Sequence, residues 1–186
     1  MKIKNATISF ITGLILIIPL ELSGQVLPKF SAGFSAGGSG VTGIPVQYRP
    51  VQNFALEFGL YGRSAHVDIF EPHWYFGPAA DAGMSVFFHH REKPGKSKVV
   101  YNGLFVKGGI GLHVLQEYTA VMGWVHEAYS EKHPGRFVQL QIGPSMRHRT
   151  ETFINTRYPP EYQKQTQVWN SAMIYFRLSW FFSLKK

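Results

Sequence analysis

Ser171-Ala172-Met173-Ile174-Tyr175-Phe176-Arg177-Leu178-Ser179-Trp180-Phe181-Phe182 is the stretch on which the fold turns. In an extended chain Ala172, Ile174, Phe176, Leu178, Trp180 and Phe182 share one face, and Ser171, Met173, Tyr175, Arg177, Ser179 and Phe181 share the other. The same period of two recurs upstream. Phe54, Leu56, Phe58 and Leu60 oppose Ala55, Glu57, Gly59 and Tyr61; Leu104 through Val114 oppose Phe105, Lys107, Gly109, Gly111 and His113. Val138, Leu140, Ile142, Pro144 and Met146 oppose Gln139, Gln141, Gly143, Ser145 and Arg147. A soluble sandwich would wet its second face with Lys, Thr and Glu. Here that face is mostly Gly, Ser and Ala, with isolated charges at Glu57, Asp81, Lys107, Arg147 and Arg177. Small residues and a few mutually neutralising charges suit the lumen of a narrow barrel, with the apolar face turned to lipid.

Strands are expected at 28–37, 43–50, 53–64, 75–90, 99–116, 118–129, 136–149 and 167–184. The proline of Ile44-Pro45-Val46 and the poor alternation of 118–129 make those two the weakest. Eight is an even number, as a single-chain bacterial barrel requires, and about ten residues per strand suffice to cross. With both termini at the inner end, 50–53 and 130–135 are short inner turns, and 64–74 and 150–166 are longer outer loops. The inner link REKPGKSK, 91–98, is long and strongly basic.

Composition agrees. Hydrophobic residues are 45% of the 186, aromatics 15% and charged residues 16%, which excludes a disordered chain. No cysteine is present, so disulfides, thiol nucleophiles and thiolate metal sites are excluded. Lys2 and Lys4 precede an uncharged run of 13 residues, Ile8–Leu20, too short to span a bilayer comfortably, and Ser23-Gly24 follow. This reads as a signal peptide, residues 1–24, ahead of a barrel domain, residues 25–186. Its removal takes Lys2, Lys4 and Glu21 and changes the net charge from +8 to +7.

From Lys29-Phe30 through Trp180-Phe181-Phe182 the chain resembles the small eight-stranded outer-membrane barrels of Gram-negative bacteria. Its final strand, IYFRLSWFFSLKK, is similar to the aromatic-ended strand that family uses as an insertion signal, although four residues follow Phe182. The resemblance implies an all-β, antiparallel, up-and-down transmembrane barrel in the outer membrane. Its expected partners are lipid and the barrel-insertion machinery, and it is a monomer without cofactor. Trp74, Tyr75, Phe76, Tyr118, Trp124, Tyr129 and Trp169 fall near strand ends, where interface girdles sit.

Candidate chemistry is sparse. His66, Asp68, Glu71 and His73 in SAHVDIFEPHW could hold a divalent metal, though solvated loop residues account for them as well. His89-His90-Arg91 reads as interfacial polar residues. His148 and Thr150 share a strand face, so an imidazole could activate a hydroxyl on the lipid side of the outer rim. That placement resembles the lipid A 3-O-deacylase barrels and their H-x-S pair; here Thr replaces Ser and Glu151 stands where those proteins carry Asn. Arg149, Arg157 and Lys164 could contact lipopolysaccharide phosphates. Nucleic acid is not an expected partner, and Gly33–Gly43 lacks the Lys and the helix of a phosphate loop. The leading expectation is a non-enzymatic barrel with a filled lumen, acting through loops 64–74 and 150–166. Two alternatives stand beside it: a lipid A-modifying acyl hydrolase using His148 and Thr150, and a secreted soluble β-barrel holding an apolar ligand within.

Overall fold

A computed structural model describes residues 27–37, 41–66, 74–93, 98–112, 116–130, 132–133, 135–154, 159 and 164–184. The signal segment 1–24 lies outside them. Eight antiparallel strands follow one another around a closed barrel: β1 (Phe30–Gly37), β2 (Val41–Val51), β3 (Phe54–His66), β4 (Trp74–Lys93), β5 (Lys98–Leu112), β6 (Gln116–Ser130), β7 (Arg136–Ile154) and β8 (Lys164–Ser183). The ring closes through β1 on β8, from Ser31 opposite Ser183 to Gly37 opposite Arg177. We call the end carrying the Val51–Phe54 turn, Phe30 and Ser183 the turn end, and the opposite end the loop end.

The two weakest strands form, and both are longer than expected. Pro45 sits within β2, where it supplies no N–H, so the β1–β2 ladder skips Gly33 and Phe34 and resumes at Ser35 opposite Gly43 without a shift. Pro144 does the same in β7, where pairing passes from Val121–Ser145 to Trp124–Ile142. Proline therefore removes rungs here without moving the register.

Three links are shorter than the sequence suggests. β3 continues to His66 and β4 starts at Trp74; β7 continues to Ile154 and β8 starts at Lys164; β4 continues to Lys93 and β5 starts at Lys98. Strand pairing simply continues past the expected ends in these hairpins. The β7–β8 hairpin stands furthest out: it pairs as far as Ile154 opposite Lys164, while β1 leaves β8 at Arg177. Gln167 to Ile174 are accordingly exposed residue after residue.

Facing residues sort by the period of two. Leu60 is 72% exposed, Met146 72% and Ile174 78%, whereas Gln139, Gln141, Arg177 and Ser179 are fully buried. The lumen is not lined mainly by small residues, however. Phe87, Phe105, Tyr101, Tyr129, Phe137, Tyr175 and Phe181 are buried in it with Val99 and Val125. Glycines make the room: a Cβ on Gly59 would collide with the Tyr61 ring, and one on Gly83 with the Lys107 side chain. Gly108 has nothing nearer than Thr119 O at 4.0 Å. Gly59→Ala and Gly83→Ala are therefore expected to destabilise the barrel by about 1–3 kcal/mol each. Gly108→Ala should change little, as read from urea unfolding followed by tryptophan fluorescence.

Candidate functional site

Two layers fill the barrel. Nearest the turn end the rings of Tyr129, Phe137 and Phe181 stack in succession, with centroids 4.5 and 4.7 Å apart, and Tyr101 meets Tyr129 edge-on at 5.5 Å. The Arg49 guanidinium lies 4.3 Å over the Phe87 ring and pairs with Glu127. Glu127 also accepts from Gln47 Nε2 at 2.8 Å, Tyr129 Oη at 2.9 Å and Gln139 Nε2 at 3.0 Å. Four donors from β2, β6 and β7 thus converge on the one buried carboxylate.

Above this lies the second layer. Glu57 on β3 accepts from both Lys107 Nζ on β5 and Arg177 Nη2 on β8. Arg177 donates further to Tyr61 Oη, to Gln141 Oε1 at 2.9 Å and to Asp81 Oδ2 at 3.3 Å. Of the five lumen charges expected from sequence, Glu57, Asp81, Lys107 and Arg177 come together. Arg147 Nε pairs with Glu117 at 3.0 Å, nearer the loop end. The ion pairs among the described residues thus set Glu57 and Asp81 with Lys107 and Arg177, Glu127 with Arg49, and Glu117 with Arg147. A small cavity beside this layer is lined by Tyr61, Asp81, Lys107, Thr119, Val121 and Tyr175.

Sequence reasoning missed Arg49, Glu127, Gln47, Gln139 and Glu117 as members of these clusters. Gln139 shows the right parity opposite Val138 and Leu140, but Glu117 and Glu127 belong to β6, whose alternation is weak. Tyr129 is also corrected: it is a buried lumen ring and not part of an outer girdle. Trp169 lies directly opposite Arg149, with the guanidinium 5.9 Å from its ring, and shares the parity of Arg177, so it faces the inner side of the hairpin. Trp124 and Tyr118 are exposed on the outer wall as expected. The side chains of Trp74, Tyr75 and Phe76 lie outside the described residues.

On the outer wall near the loop end, Tyr118, His148 and Asn170 stand abreast on β6, β7 and β8. His148 Nδ1 is 2.8 Å from Asn170 Oδ1, and His148 Nε2 is 3.4 Å from Thr150 Oγ1. With Nδ1 donating to the Asn170 oxygen, the Nε2 lone pair is the one left facing the Thr150 hydroxyl. Asn170 was not singled out from the sequence. Its signal was a carboxamide between Val168 and Ala172, at the edge of the apolar run of that face of β8.

Asp68, Glu71, His73 and Arg157 lie outside the described residues, as do the side chains of His66 and Lys164. No group of three or more His, Cys, Asp or Glu that could hold a metal occurs among the described residues. Comparisons with family models, curated proteins and solved structures return no match.

Removing Glu57 leaves Arg177 and Lys107 buried without their shared carboxylate. Glu57→Ala is expected to cost roughly 3–5 kcal/mol of stability. Arg149→Ala, which breaks no ion pair among the described residues, should cost far less in the same urea titration.

Proposed function

We propose that the chain is an outer-membrane β-barrel, exported by residues 1–24, that stands in the bilayer as a monomer and passes no solute. The observation that carries this reading is the reversal of ordinary burial: large apolar side chains cover the outside and charges fill the inside. Phe34, Phe58, Leu60, Leu104, Met122, Met146 and Ile174 are exposed, while Glu57, Lys107, Glu127 and Arg177 are buried. Such an exterior is unfavourable in water and natural in lipid. Stacked aromatic rings and ion-pair clusters fill the lumen among the described residues, which supports a role other than diffusion. Its function is then to present the connections 67–73 and 155–163, with the β7–β8 hairpin, at the surface for envelope integrity or contact. The apolar-ligand alternative needs the Phe, Leu and Ile faces turned inward, and those faces are the exposed ones.

After detergent extraction the protein is expected to run as a faster band unheated than boiled. In planar bilayers it should give no ohmic conductance. Recovery in the soluble fraction without a mobility shift would overturn this reading.

The Thr150–His148–Asn170 arrangement favours one second reading, an acyl hydrolase working at the outer rim. Thr150 Oγ would attack the ester carbonyl, His148 would take its proton and return it to the leaving alcohol, and water would release the acyl group. On this reading His148→Ala abolishes an acyl-chain mass difference in lipid A, Thr150→Ser keeps it and Asn170→Ala weakens it. Unchanged lipid A in the His148 variant would remove the hydrolase and leave the barrel.

A further inference from the structure

Among the described residues the exposed charge is one-sided. Every carboxylate whose side chain is described, namely Glu57, Asp81, Glu117 and Glu127, is directed into the barrel and ion-paired there. The exposed cations among the described residues are Lys29, Arg91, Lys98, Lys132 and Arg136, and all five lie at the turn end. None of the five is in an ion pair among the described residues.

These cations border a graded wall on β4, β5 and β6. Moving toward the turn end, the outer face carries Val86, Leu104 and Trp124 abreast, with Phe88 edge-on to Trp124 at 5.4 Å. Next comes a polar row, His89, Asn102 and His126, in which His126 Nδ1 lies 2.7 Å from Asn102 Oδ1. Arg91 lies one step further, opposite Val100, and Lys98 beyond it, opposite Ser130. Around the ring, the Arg136 guanidinium sits 5.9 Å over the Phe182 ring, and Phe30 stacks on Tyr48 at 4.6 Å. Hydrocarbon-compatible side chains, then rings and hydrogen-bonding groups, then cations is the order met on crossing from acyl chain through glycerol ester to phosphate.

We propose that the turn-end rim, centred on Arg91 and Lys98 with the His89–Asn102–His126 row beneath them, seats the phosphate headgroup of an anionic phospholipid in the adjoining leaflet. This rests on the membrane reading above and adds a lipid specificity to it. Charge complementarity with the exposed cations of this rim selects a net-anionic headgroup over a zwitterionic one. The aromatic belt directly beneath the cations selects a lipid over a soluble acidic protein, which would not fill the apolar rows under the phosphate.

The test uses the full mature chain reconstituted into vesicles of phosphatidylethanolamine with one-fifth phosphatidylglycerol (about 20%, an ordinary anionic fraction), followed by native mass spectrometry of retained lipid. Phosphatidylglycerol should be enriched over its bulk share, and Arg91→Gln with Lys98→Gln should reduce that enrichment several-fold. Arg149→Gln, at the other end, should leave it unchanged. Enrichment untouched by the Arg91 and Lys98 substitutions, or no enrichment in a protein that inserts normally, overturns this inference alone. Displacement of the retained lipid's advantage by inorganic phosphate would overturn it in favour of a simple anion site. Failure to insert into either bilayer overturns the membrane reading together with it.

Discussion

The Glu57 carboxylate, held at once by Lys107 and Arg177, is the contact on which the rest of the barrel depends. It joins three strands that are far apart in the chain, β3, β5 and β8, across a lumen from which water is excluded. Two cations in such a place require their anion, and an anion there requires both hydrogen-bond donors and charge. Arg177 meets this by spreading its guanidinium over Glu57, Asp81, Tyr61 and Gln141. Because these neighbours come from three different strands, β3, β4 and β7, the cluster locks strand register in a way that alternation alone would leave free to slip by two.

From that centre the two ends of the barrel diverge. Toward the turn end the interior becomes aromatic and dry, sealed by Phe137, Phe181 and Tyr129, and the exterior becomes cationic. Toward the loop end the interior carries the Glu117–Arg147 pair, and the exterior carries the Tyr118–His148–Asn170 row. Among the described residues each carboxylate inside is paired with a base, while the exposed cations gather at the turn end. In the bilayer proposed here, those cations are available to headgroups.

Much of this was legible residue by residue. The faces of β3, β5 and β8 follow from the period of two because side-chain direction in a strand is a local property. Leu60 outside and Glu57 inside needed no partner to be read. The pairing of charges was less legible, since Arg147 and Arg177 present the same parity, yet one meets Glu117 and the other Glu57. Their height in the barrel depends on stagger between strands, which no single segment encodes. Tyr129 and Trp169 were misplaced for a related reason: nearness to a strand end says nothing of which side of the wall a ring takes.

Sequence by itself determined the class of fold, the eight strands and the inner and outer identity of most residues, because alternation and turn chemistry act over a few neighbours. Tertiary structure alone decided that Asn170 comes within hydrogen-bonding distance of His148, and that Arg49 reaches Glu127 from 78 positions away. It also decided that the exposed cations collect at one end while the described carboxylates lie within. Those outcomes depend on closing the sheet into a ring with one particular stagger, and that geometry belongs to all eight strands together.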